Sequence, residues 1–137
     1  MSDPSLLELL ESIRGRYRDR ETRLREKMGL SPAQFRGISQ LGADEIITCG
    51  DFSNRLMLSE SRGSRVIDLL VRKGLLERTD CDADRRCKRL RLTPLGCSLR
   101  RAVDEERRVF EADLVSAVPA GSLDRLKTEL HRLADDL

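Results

Sequence analysis

The side chains of this sequence that can do chemistry fall into two sets, four cysteines and one concentrated basic run. Cys49, Cys81, Cys87 and Cys97 can serve as thiols, as disulfide partners or as metal ligands. Arg85, Arg86, Lys88, Arg89 and Arg91 place five cations within seven positions, which suits contact with phosphates. The same strip is also what an edge strand guarded by charge looks like. Hydrolytic and acid–base chemistry has little to work with. His131 is the only histidine, no glycine loop is built to cradle a phosphate, and the carboxylates are scattered along polar helix faces. An enzyme is not expected.

The basic run needs a hairpin to hold it. Residues 76–79 and 89–93 alternate apolar and polar side chains as two short strands, with 80–88 as the loop between them. The helix before them opens at Ser59, whose hydroxyl can accept a first-turn amide. It buries Val66, Ile67 and Leu70 and stops at Lys73-Gly74. A polar helix leading directly into a basic hairpin is the pattern of a winged helix-turn-helix. One element would enter the DNA major groove and the other would reach a minor groove.

The remaining segments read as the frame for this pair. Residues 5–28 form a long helix with Leu6, Leu9, Leu10, Ile13, Tyr17, Leu24 and Met28 on one side, closed by Gly29. Ser31-Pro32 opens a second helix with Phe35, Ile38 and Leu41 as its stripe. Ile46-Ile47 is a short strand, and Thr48 with Asp51 resembles a capping box for a third helix anchored by Phe52, Leu56 and Leu58. After the hairpin, Thr93-Pro94 starts a helix over about 94–117. Ser122 is expected to cap a last helix whose Leu123, Leu126, Leu130, Leu133 and Leu137 make a coiled-coil-like seam. Long terminal helices with unmatched stripes point to a homodimer, the other reading being that the first and last helices pack on each other within one chain.

Composition agrees with this frame. A chain of 137 residues supports one domain, here 1–137, and aromatics at 3% with no Trp require a leucine-rich, mostly helical core. The formal net charge of +2 means that any pull on nucleic acid must come from where the charges sit. No apolar run is long enough to span a membrane and no leader follows Met1, so no membrane partner and a cytoplasmic location are expected. In a reducing compartment, cysteines are less often structural disulfides than free thiols, redox sites or metal ligands.

The order of these blocks resembles the MarR family of bacterial transcriptional regulators over nearly the whole chain. The second-helix pattern appears as Leu30-Ser31-Pro32-Ala33-Gln34-Phe35, and the end of the recognition helix as Leu70-Val71-Arg72-Lys73-Gly74-Leu75-Leu76-Glu77-Arg78. The wing signature appears as Asp82-Ala83-Asp84-Arg85-Arg86, followed by Leu92-Thr93-Pro94-Leu95-Gly96. The resemblance implies a mostly α fold with a small β-wing, in which 31–93 form the DNA-binding lobe and 5–28 and 94–137 the dimerisation helices. It implies a regulator, a repressor by this reading, bound as a homodimer to pseudo-palindromic double-stranded promoter DNA. Ser59, Ser61, Arg62, Ser64 and Arg65 would meet bases and phosphates from the recognition helix, with Arg62 first for a base edge. Arg85, Arg86 and Lys88 would act from the wing, Arg86 in the minor groove, with Asp84 holding the turn. Gly63 departs from the family, which usually has an apolar β-branched residue there.

The family does not require the cysteines. Their spacing matches no standard zinc or iron–sulfur motif, and a straight strand after Cys87 carries it about 17 Å from the region of Cys97, at ~3.3 Å per residue. Thiols on a basic hairpin should nevertheless be reactive. Three readings stay open: a thiol or disulfide switch at Cys81 and Cys87, an iron–sulfur or zinc site drawing on Cys81, Cys87, Cys97 and Cys49, and incidental thiols beside a pocket for a small organic effector. The rival from another class is a winged-helix protein-interaction module that does not bind DNA.

Overall fold

Cap chemistry sets the helix boundaries. Ser5 accepts the Glu8 amide while the Glu8 carboxylate accepts the Ser5 amide, and α1 (Leu6–Met28) begins there. Gly29, at φ +67°, ends it in the left-handed conformation that glycine adopts without a Cβ penalty. Ser31 and Gln34 repeat the reciprocal cap at α2 (Pro32–Gln40). Thr48 accepts the Asp51 amide to start α3 (Cys49–Arg55), and Ser59 accepts the Arg62 amide to start α4 (Glu60–Arg72). β1 (Ile47–Thr48) precedes α3. β2 (Leu76–Cys81) and β3 (Asp84–Leu92) follow α4, and α5 (Pro94–Ala117) and α6 (Leu123–Asp136) complete the chain. This computed structural model describes residues 2–81 and 84–137, those at 81 and 84–87 by backbone alone.

The architecture is mostly α with one three-stranded antiparallel sheet in the order β1-β3-β2. Two expectations need correction. The wing strands are longer than 76–79 and 89–93, because a charged rung continues the ladder where apolar alternation ends: Asp80 pairs with Lys88. Much of the expected 80–88 loop is therefore strand, and β3 is continuous from Asp84 to Leu92. Ser122 precedes α6 but makes no side-chain cap; its backbone is already helical, at φ −98° and ψ −13°.

The chain divides into two compact units, Met1–Asp104 and Glu105–Leu137. Among the described residues, every buried hydrophobic lies in the first, where Ile38, Leu41, Phe52, Leu56, Leu70 and Leu90 are almost fully enclosed. Leu24 and Met28 of α1 pack against this core, whereas Leu6, Leu9, Leu10 and Ile13 remain exposed. In the second unit no described side chain is fully buried, and Leu126 and Leu130 of α6 stay exposed.

Two polar knots hold the first unit together. The Lys73 ammonium donates to the Gly29 carbonyl at 2.8 Å and to Gln34 Oε1 at 2.9 Å, so the ends of α1 and α4 meet the start of α2. Gln34 is buried, and this lysine and the Ser31 amide satisfy its carbonyl oxygen. The second knot forms where the wing leaves the core. The Thr93 amide donates to the Leu75 carbonyl, its hydroxyl to the Gly74 carbonyl, and the Gly96 amide back to that hydroxyl. A Cβ on Gly96 would lie 2.1 Å from the Leu75 oxygen, so α5 can start here only with glycine.

Candidate nucleic-acid interface

The helix-turn-helix is α3, a short turn and α4. Its turn is pinned by the Met57 amide on the Asn54 carbonyl and the Leu58 amide on the Ser53 carbonyl. Met57 adopts φ +57° and is almost wholly exposed. The two helices cross at Ser53 and Gly63, both buried. A Cβ on Gly63 would sit 1.9 Å from Ser53 Oγ and 2.5 Å from Ser53 Cβ. The departure at Gly63 therefore has a steric cause, since the helices approach too closely there for any side chain.

With Gly63, Val66, Ile67 and Leu70 turned inward, α4 presents Ser61, Arg62, Ser64 and Arg65 outward, all exposed. Neither arginine's guanidinium has a hydrogen-bonding or ion-pair partner among the described residues. Ser59 stands apart from this set. Its hydroxyl already serves as the cap, 3.4 Å from Ser61 Oγ. Asp68, one turn further along the helix, is taken by Arg78 Nη2 at 2.6 Å, which ties α4 to β2.

The register sorts the wing residues by face. Leu76, Leu90 and Leu92 turn to the core, and Arg78, Asp80 and Lys88 share their side of the sheet. Glu77, Thr79, Arg89 and Arg91 share the other. Lys88, expected as a DNA contact, is paired with Asp80. The side chains of Asp84, Arg85 and Arg86 lie outside the described residues, as do those of Cys81 and Cys87. Arg89, which was not singled out as a site residue, is exposed. Only the cross-strand register, which a single sequence does not display, separates it from its paired neighbours.

The two cysteines with described side chains are half-buried. Burial pushes the Cys49 thiol up, and the cations Arg78 and Lys88 counteract this only in part, so it is a poor thiolate. Cys97 Sγ lies 3.7 Å from the Ala43 carbonyl. Among the described residues, no group of three His, Cys, Asp or Glu side chains is arranged to hold a metal ion. Nor is any helix long and apolar enough to cross a membrane.

Residues 28–86 match a family model described as the MarR family. No curated protein matches the sequence. Among solved structures, the chain is similar to a mutant of MepR from S. aureus, with a TM-score of 0.85 at 21% identity over 97% of this chain and 98% of that one. YusO from Bacillus subtilis gives 0.77 at 22% identity, over 98% and 100% of the two chains. A second S. aureus MepR mutant, bound to an oligodeoxyribonucleotide, gives 0.77 at 20% identity, over 98% and 99%. At these identities the structural likeness is one of fold.

Proposed function

We propose that this chain, whose residues 28–86 match the MarR family model, is a transcriptional repressor binding pseudo-palindromic duplex DNA as a homodimer. One observation carries this reading: Arg62 and Arg65 stand exposed on the outer face of α4 without an acidic partner among the described residues. Arginine can fork onto guanine O6 and N7, and the exposed hydroxyls of Ser61 and Ser64 can donate to phosphates. The similar MepR mutant bound to an oligodeoxyribonucleotide supports the same use of the fold. Arg85 and Arg86 extend the reading to the wing, with Asp84 as the turn residue.

Titration of a labelled 30-bp duplex from 50 to 300 mM salt tests it. The expected result is a log–log slope of about −0.9 for each phosphate contacted. On a duplex selected from a random pool by this protein, Arg62→Ala should weaken binding about 10- to 100-fold for each half-site, the value of one bidentate base contact. Salt-independent binding, or none, would favour the protein-interaction module instead.

The signal, in this reading, acts at Cys81 and Cys87. The wing ladder is regular as far as Asp80 opposite Lys88, and one further step would set Cys81 against Cys87. Instead the register shifts and Cys81 stands opposite Asp84. A disulfide between these two positions is favoured when they stand opposite each other, so the proposal couples oxidation to wing register. Diamide, which takes up the two electrons and two protons released by a dithiol, should lower operator affinity in the native protein and leave Cys81→Ser unaffected. Metal analysis after anaerobic purification separates this thiol chemistry from a zinc or iron–sulfur site.

A further inference from the structure

Pairing sorts the cations of the wing strands. On the core-facing side, Arg78 donates to Asp68 of α4 and Lys88 is bound to Asp80. On the opposite side, Arg91 is bound to Glu77. Arg89 sits between them on the central strand and is exposed. Its cross-strand neighbours are Thr79 on β2 and Thr48 on β1, neither of them acidic. No ion pair or side-chain hydrogen bond holds it among the described residues.

Position adds to the charge count. Thr48 is the last residue before α3, the first helix of the helix-turn-helix. In such motifs the first helix crosses the phosphate backbone. Pairing with β1 therefore holds Arg89 beside the start of the element that meets that backbone. A cation already neutralised by a carboxylate displaces few counterions from DNA, whereas an unpaired one displaces its full share.

We propose that Arg89 is a DNA-phosphate contact of the wing, and that Arg78, Lys88 and Arg91 serve the wing's own structure. The assignment rests on the DNA-binding reading above. It adds a contact on the strand itself, away from the wing tip, and removes Lys88 from the set.

Salt-slope measurements test it on the same selected duplex. Arg89→Gln should make the slope shallower by about 0.9, and weaken binding about eightfold at 0.1 M salt relative to 1 M, for each protomer bound. Arg89→Lys should keep the slope. Arg89→Thr, a strand-former between two threonines, should lose it as Arg89→Gln does, with an unchanged melting temperature. The paired doubles Asp80→Asn with Lys88→Gln, and Glu77→Gln with Arg91→Gln, remove both charges at once and should leave the slope at the wild-type value. A wild-type slope in Arg89→Gln, or an equal loss in the paired doubles, overturns the assignment while DNA binding stands. A wild-type protein that binds no duplex overturns both together.

Discussion

At the scale of single residues, two glycines decide how closely elements can approach. Alanine in place of Gly63 gains about 1 kcal/mol of helix propensity, yet its methyl would meet Ser53 Oγ and Cβ well inside contact distance. Overpacking typically costs about 1–3 kcal/mol, so the steric effect wins and Gly63→Ala should be destabilising. Gly96→Ala should cost more, because its obstacle is the Leu75 carbonyl, backbone that cannot rotate aside. Urea denaturation gives the order: wild type, then Gly63→Ala, then Gly96→Ala as the least stable. Gly63→Ala with Ser53→Gly should recover part of the loss. Gly96 was legible in the sequence as a motif position, but its neighbour was not, since Leu75 lies 21 residues earlier. Gly63 stood out only as an anomaly. A single sequence shows that a side chain is missing there, and only the helix crossing shows why.

At the scale of elements, arginine-rich helices are used to close one another's ends. Arg36 donates to the Leu56 carbonyl, Arg100 to the Leu41 carbonyl and Arg55 to the Gln40 carbonyl, all acceptors at helix ends. Arg55 also grips Glu45 through both carboxylate oxygens at 2.7 Å. That contact, together with the Gly42 amide, holds the Glu45 carboxyl down at about 2. A carboxyl depressed in the folded state adds stability above its unfolded pKa and loses it as pH falls through the folded value. The contribution should therefore be present at neutral pH and disappear from about pH 5 down to pH 2. The pair is partly solvated, so its worth is about 1 kcal/mol or less. Thermal melts of Glu45→Gln should fall below wild type at pH 7 and converge with it near pH 2. Helix boundaries were legible because caps are local, as Ser5, Ser31, Thr48 and Ser59 all show. The wing strands reach further than apolar alternation shows because their next rung rests on a charge pair between residues 8 positions apart. Ser122 had the right residue type but already sits in a helical backbone.

At the scale of the whole molecule, the stripes on α1 and α6 bear on assembly. Leu6, Leu9, Leu10 and Ile13 are exposed on α1, as are Leu126 and Leu130 on α6. Under the proposed homodimer, Leu10→Glu with Ile13→Glu should shift sedimentation from dimer to monomer and abolish tight operator binding, while the melting behaviour of the first unit changes little. These stripes suggested the homodimer, with packing of the first and last helices on one another as the other reading they allow. The fold class was legible because helical periodicity and the order of blocks survive without coordinates. The charge accounting on the wing was not, because it depends on which strand residue faces which. The knot at Thr93 has a consequence for how this protein can vary. Leu75, where the wing departs, and Thr93, where it returns, are hydrogen-bonded to each other. The base of the wing is fixed there, by β1 against Leu90 and Arg89, by Arg78 on Asp68, and by Leu76, Leu90 and Leu92 in the core. Beyond the Asp80–Lys88 rung no such tie is made among the described residues, so residues added there in opposite pairs would lengthen the reach of the wing without moving its base.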